Sequence, residues 1–218
     1  MEKTPSLFIT FEGGEGTGKT TQINLLSKSL TAKGYKVVTT REPGGTRESE
    51  KIRSLLVQRD SGDWSPMAEC LMLFAARSMH VKKVIAPALE EGRIVICDRF
   101  TDSTRAYQGY GQGLDLKKIE ELNDIVLEGF TPDLTIVLDI EPKKGLMRSN
   151  RRMAADNLHL DQPEDRYETM DMEFHKMLRK GFLEIAKKEK KRCHLIDADA
   201  SIESVAKKIE KVVLGALK

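Results

Sequence analysis

Gly13-Gly14-Glu15-Gly16-Thr17-Gly18-Lys19-Thr20 fits the spacing G-x-x-x-x-G-K-[ST] at every fixed position. Glycines at these places let the backbone curl so that several N–H groups converge on one phosphate chain. Lys19 can then reach the β- and γ-phosphates, and the Thr20 hydroxyl can ligate Mg²⁺. A second candidate is Asp98-Arg99, which closes the apolar run Ile94-Val95-Ile96-Cys97. An acid after such a strand orients Mg²⁺ in phosphate-binding loops of this kind, although it also serves as a helix cap. A third is Arg41-Glu42-Pro43-Gly44-Gly45-Thr46, whose glycines allow backbone to approach a ligand or simply make a turn. A fourth is the acid-free basic stretch Lys143, Lys144, Arg148, Arg151 and Arg152, followed by a polar segment up to Arg166. It reads either as an exposed basic helix face or as arginines that close over a nucleotide.

The missing residues narrow the chemistry. There is no Ser-His-Asp arrangement, no metal-ligand cluster and no histidine placed as a base; His80, His159, His175 and His194 read as structural or surface residues. Transfer to a hydroxyl recruits a base, whereas a phosphate monoester, with a second pKa of about 6, is already a nucleophile at neutral pH. An inventory rich in arginine and poor in bases therefore fits a nucleotide monophosphate acceptor, for which positioning and charge neutralisation suffice.

These residues need a scaffold. The 218 residues, 39% hydrophobic and 32% charged, suit one α/β domain. A net charge of +2 gives no field for nucleic acid or a membrane surface, and no apolar run approaches the roughly 18 residues of a membrane span. The N-terminal residues lack a signal region, so the expected location is cytoplasmic. Cys70, Cys97 and Cys193 are too few and too far apart for a disulfide framework, and Cys97 and Cys193 read as buried small hydrophobes. Five strands are expected, at Ser6–Phe11, Lys36–Thr40, Arg93–Asp98, Leu134–Asp139 and His194–Asp197, alternating with helices. Their nearly continuous apolar character predicts a parallel sheet covered on both faces. Helical stripes run through Ile23, Leu26 and Leu30 and through Ile202, Val205, Ile209 and Val212; Ser201 and Ser65-Pro66 read as helix starts. The basic run Lys187–Arg192 reads as a solvated helix end.

Taken in order, Phe11–Thr21, Thr40–Thr46, Glu50–Arg53, Leu73–Arg77, Asp98–Phe100, Ser103–Gly109 and Pro132–Thr135 resemble one family, thymidylate kinase. The resemblance implies a P-loop nucleoside monophosphate kinase-like α/β fold, a single domain over residues 1–218 with a five-stranded parallel sheet flanked by helices and a lid at about 148–168. It implies transfer of the ATP γ-phosphoryl group to dTMP with Mg²⁺. Other readings are a kinase for another nucleoside monophosphate, and a P-loop ATPase or nucleotide-binding module.

Carried over by matching position, Gly13, Gly14, Glu15, Gly16, Thr17, Gly18, Lys19, Thr20 and Thr21 would hold ATP, and Thr20 and Asp98 the metal. Glu15, Glu42, Arg53, Phe74, Arg77, Arg99, Thr104, Tyr107 and Gln108 would hold dTMP. Within that group Arg53 and Arg99 grip the phosphate, Arg77, Thr104 and Gln108 read the base, and Tyr107 lies against the deoxyribose. Lys19, Asp98, Arg99, Arg148, Arg151 and Arg152 would serve catalysis. Gly16 stands where some members carry an arginine, which implies the bacterial-type arrangement with Arg148, Arg151, Arg152 and Arg166 in the lid. Leu73 occupies the usual place of the stacking aromatic, leaving Phe74 or Leu73 against the base, and Ser49 replaces a usual glycine. The expected partners are ATP, dTMP and a second copy of the chain, with no nucleic acid and no membrane.

Overall fold

The computed structural model describes residues 6–59, 62–156 and 164–217. Five strands, β1 (Leu7–Glu12), β2 (Val37–Arg41), β3 (Ile94–Asp98), β4 (Leu134–Asp139) and β5 (Cys193–Asp197), form one parallel sheet in the order β2-β3-β1-β4-β5. The expected strands are all present, with ends shifted by about a residue. The inner three, β1, β3 and β4, are buried on both faces, which is why they read as nearly continuous apolar runs, while the edge strands β2 and β5 are partly exposed.

The helices are α1 (Lys19–Ala32), α2 (Arg47–Val57), α3 (Pro66–His80), α4 (Ala86–Glu90), α5 (Thr101–Thr104), α6 (Leu116–Leu127), α7 (Pro142–Asp156), α8 (Met172–Lys188) and α9 (Ile202–Ala216). A wider π-type turn, Val81–Ile85, joins α3 to α4, and another, Arg105–Gly111, continues α5. Side chains alternate across the sheet. Leu7, Ile9 and Phe11 of β1 pack with Ile23, Leu26 and Leu30 of α1 and with Val205, Ile209 and Val213 of α9. Phe8, Val95 and Cys97 turn to the opposite face, against Ile85, Phe100 and Leu127. Val137 and Cys193 lie under Tyr107, Phe174, Leu178 and Phe182. Burial pushes the Cys193 thiol up to about 12 and Cys97 well above its usual range, so both are inert packing residues.

Both predicted serine caps form: Ser65 accepts from the Ala68 amide ahead of Pro66, and Ser201 from the Ser204 amide. The α9 stripe differs from expectation. Ile202 is 53% exposed and Val213, not Val212, is fully buried, because the inward face follows the i, i+4, i+8 positions Val205, Ile209 and Val213. The basic run also divides. Lys187 and Lys188 are exposed at the end of α8, but Arg192 turns inward to Asp102 (2.6 Å) and the Thr135 hydroxyl (3.0 Å). Among the described residues no helix is long and apolar enough to cross a membrane.

Candidate active site

The loop Gly13–Gly18 leaves the buried end of β1 and enters α1 with no side-chain cap, so the first amides of the helix stay available to an anion. Gly13, Gly16 and Gly18 all have positive φ (136°, 64° and 87°). Gly16 also touches α7: a Cβ there would run into the Gly145 carbonyl. Glycine at this position is thus a packing requirement. Lys19 lies across the loop, its Nζ donating to the carbonyls of Gly13 (3.1 Å) and Gly14 (2.9 Å) and to the Thr17 hydroxyl (3.4 Å). Burial and the nearby Arg99 push its pKa down to about 8.

Parallel pairing sets Phe11 opposite Asp98, which brings the end of β3 beside the loop. The Thr20 hydroxyl donates to Asp98 Oδ2 at 3.3 Å. Two hard oxygens from the protein, with phosphates and waters completing the shell, is the donor set Mg²⁺ takes in nucleotide sites, so this pair fits that ion. Among the described residues no group of three or more His, Cys, Asp or Glu side chains converges on a metal position.

Arg99, in the left-handed region at φ 70°, points back over the loop. It donates to the Gly13 carbonyl (3.0 Å), the Ser103 hydroxyl (3.1 Å) and Glu15 (3.1 Å), and lies over the Tyr107 ring at 4.9 Å. Glu15 also accepts from the Tyr107 hydroxyl. Burial opposes charge on Glu15, but Arg99, Lys19 and that hydroxyl outweigh it and hold the carboxyl below its usual range. Behind them Glu12, fully buried, accepts from the Phe100 amide (2.8 Å) and the Ser103 hydroxyl (2.5 Å). Burial raises its pKa to about 8.

The other end of the site is a buried polar web. Arg77, 2% exposed, donates through Nε to Glu42 (2.7 Å) and through Nη2 to the Thr104 hydroxyl (3.1 Å). Its guanidinium is 4.9 Å from the Phe74 ring centre and 5.2 Å from that of Phe100. Glu42 pairs in turn with His80 (3.0 Å), whose other ring nitrogen meets the Thr40 hydroxyl (2.7 Å). Gln108 Nε2 donates to Glu69 (2.9 Å) and the Tyr167 hydroxyl (3.3 Å). Arg77 Nη1 and Gln108 Oε1 are buried with no partner among the described residues. Each is costly unless something else supplies its hydrogen bond.

One cleft of about 1110 Å³ joins the two ends. Its walls include Glu15 to Thr21, Glu42, Arg53, Arg77, Asp98, Arg99, Thr104, Tyr107 and Gln108. Gly13 and Gly14 do not line it; their carbonyls hold Lys19 from behind. Phe74 is the departure among the base-side residues. Its ring is 2% exposed, packed with Cys70 and Ile119 beneath Arg77, and Leu73 lines the cleft instead. A helix advances about 100° per residue, so the two positions cannot share one face. Arg53 faces the cleft but is held by Glu164 (2.8 Å) and the Pro43 carbonyl (3.1 Å).

The four basic residues expected in a lid separate. Arg148 turns away to the Ala198 carbonyl (3.0 Å) and Asp199 (3.2 Å). Arg151 is exposed. Arg152 alone of the four lines the cleft, while Arg166 bridges to the Leu56 carbonyl (3.1 Å) and Glu69 (2.5 Å). The first half of that segment is the end of α7, and its middle, with His159, lies outside the described residues. Ser49, in place of glycine, staples α2 to α3 by donating to the Ala76 carbonyl (2.9 Å). Sequence reasoning missed Glu12, Glu69, Tyr167 and Glu168. The only signal was an acid at the end of an apolar strand and another in a mostly apolar helix.

The family model described as thymidylate kinase matches residues 11–209. The chain is 46% identical over 214 residues to a thymidylate kinase of Caulobacter vibrioides, covering 98% of this chain and 99% of that one. It is 45% identical to a thymidylate kinase of Pelobacter propionicus over 95% of this chain and 93% of the relative. A crystal structure of thymidylate kinase from Ehrlichia chaffeensis superposes with a TM-score of 0.76 at 40% identity, covering 96% of this chain and 99% of that chain. With a phosphate loop and a buried polar web along one cleft and matches running nearly end to end, the chain belongs to the thymidylate kinase family.

Proposed function

We propose that this chain transfers the γ-phosphoryl group of ATP to dTMP, giving dTDP and ADP. The observation that carries the reading is a pair of buried atoms without a partner among the described residues, Arg77 Nη1 and Gln108 Oε1, on two side chains that line the cleft holding the phosphate loop. A donor beside an acceptor complements thymine, which offers an acceptor at O4 next to a donor at N3. Cytosine offers the reverse. A site built on buried hydrogen-bonding groups rejects the mismatched base by a factor of about 10⁴ or more.

Chemistry follows from placement. Lys19 leaves the loop carbonyls to meet the β- and γ-phosphates, joined by the free amides of α1. Arg99 and Arg53 grip the acceptor phosphate, Arg53 exchanging the Glu164 carboxylate for it. That phosphate is itself the nucleophile, so no base is needed. Tyr107, fixed by Glu15 and Arg99, lies against the sugar. Thr20 and Asp98 would hold Mg²⁺, which when bound would offset the negative charge on the phosphates. Arg152 is the lid residue placed to meet the transferred group. The chain works as one domain, in the cytoplasm, as a homodimer. Leu71 on α3 and Ile125 on α6, 49% and 72% exposed on helices that pack together, are apolar surface suited to a second copy.

A panel of monophosphates with ATP and Mg²⁺ tests the reading. dTMP should be used best, with dUMP next and dCMP poorest. Activity on dCMP above that on dTMP overturns it, and ADP release without any acceptor would mark an ATPase.

A further inference from the structure

Gln108 would be a poor judge of bases by itself, because its amide can present an oxygen or an NH₂ group to the cleft. Glu69, on the first turn of α3 and fully buried, removes that freedom. Its Oε2 accepts from Gln108 Nε2 (2.9 Å), Gln112 Nε2 (3.0 Å) and the Tyr167 hydroxyl (3.1 Å), while its Oε1 accepts from Arg166 Nη2 (2.5 Å). A carboxylate in an ion pair with a guanidinium only accepts. The atom of Gln108 that faces it must therefore be Nε2. Tyr167 enforces the same sense. Its proton goes to Glu69, so its oxygen is left to accept from Gln108 Nε2 at 3.3 Å. Turning the amide over would set Oε1 against the carboxylate and lose both bonds. The oxygen that remains, Gln108 Oε1, is buried and has no partner among the described residues.

We propose that Glu69 is a positioning residue that determines specificity: acting through Gln108, it fixes an acceptor in the cleft and so selects pyrimidines that carry a proton on N3 over those that present a lone pair there. Glu69 does not line the cleft, so its route to a bound base runs through Gln108. It serves a second purpose at the same time, since Arg166 and Tyr167 tie the segment before α8 to the helix that carries Arg77. The base choice and the seating of that segment share one carboxylate.

This inference rests on the proposed reading of Arg77 and Gln108 as the base-recognising pair. The test is the ratio of kcat/KM for dTMP to that for dCMP, measured in the full-length protein, Glu69→Gln, Gln108→Leu and the double variant. Glu69→Gln offers an amide to an amide, so both orientations of Gln108 become possible. The ratio should fall by about tenfold or more, with the KM for ATP unchanged. In the Gln108→Leu background the same substitution should leave the ratio alone. Equal proportional losses on dTMP and dCMP in Glu69→Gln, or the same change in ratio with and without Gln108, overturn the proposal. Glu69→Asp keeps the charge at shorter reach and should lower the ratio in the same direction by less. An unchanged ratio there overturns the proposal too, even if Glu69→Gln does not fold. A wild-type protein with no preference for dTMP would defeat the functional reading itself, a separate outcome.

Discussion

At the base end of the cleft Arg77 is buried and held on two sides by Glu42 and Thr104, with its Nη1 group left over, and Gln108 is held by Glu69 with its Oε1 left over. At the phosphate end Lys19 spends its donors on loop carbonyls, Arg53 spends its own on Glu164, and three of the four lid arginines point elsewhere or into solvent. The first region is organised before any ligand arrives. The second satisfies itself and has to be rearranged. Buried groups cannot be corrected cheaply by water, so recognition is built where the dielectric is low. Charges that must follow a transferring phosphoryl group are kept where they can move.

The lid gives the sharpest way to break this contrast. Arg152 lines the cleft and Arg148 is tied to Ala198 and Asp199. An arginine at a transferring phosphoryl group is worth about 10³ or more in rate. Arg152→Ala should therefore cut kcat by about that factor in single-turnover measurements, with little change in dTMP binding, while Arg148→Ala should cost less than about tenfold. A reversal would mean that closure exchanges the two, and that the resting contacts of α7 say nothing of the reacting state.

Lys19→Ala should come next, lowering kcat by about 10²–10³ as one electrostatic contact to the transferring charge is lost. Its stability should hardly fall, since the three acceptors it leaves can turn to water. Arg77→Ala is the counterpart at the other end. It should lower kcat/KM for dTMP by about 10² while the KM for ATP moves less than about twofold. Unlike the lysine variant it should also destabilise the fold, by about 3–5 kcal/mol, because Glu42 would be left buried with only His80. Chemical denaturation of the two variants side by side checks this. Equal stabilities would erase the distinction between a preorganised and a self-satisfied end.

Much of the scaffold was legible because its signals are local. The largely apolar runs at 94–97 and 134–138 are two of the buried inner strands, and Ser65 and Ser201 cap helices with their own side chains. The phosphate loop was legible for the same reason: its glycines and Lys19 act within eight residues. What stayed hidden depends on elements far apart in the chain meeting in space. Glu42, Arg77 and His80 come from β2's end and α3, and Glu69 gathers donors from α5's continuation and the turn at 166–167. Nothing in a helix of mostly apolar residues marks one acid as a hub. The choice between Phe74 and Leu73 on α3 also stayed open in the sequence, and burial separates them, since Phe74 is core and Leu73 lines the cleft. The direction of each basic side chain on α7 follows from what it can reach, such as Asp199 beyond β5, and spacing alone does not encode that.

The smallest expected effect concerns a residue at the junction of the two regions. Glu168 lines the cleft near Glu15, and burial, with repulsion from Glu15, raises its pKa from the usual 4.5 to about 7. Its charged form is disfavoured in the fold. The folded protein therefore holds a proton there that the unfolded chain gives up between pH 4.5 and about 7, and stability from this group falls as pH rises through that window. Glu168→Gln removes the titration. Wild type and variant should melt at similar temperatures near pH 4.5, and the variant should pull ahead by a few degrees at pH 8, about 2–4 °C for each kcal/mol in a chain of this size. The Ser149 hydroxyl can still donate to the Gln oxygen, so the packing there is kept. If the variant melts lower at pH 8, Glu168 belongs with the satisfied groups of the base end. In that case a cation, Arg99 or one from the lid, compensates it in the resting protein, and the phosphate end is more organised than its exposed arginines imply.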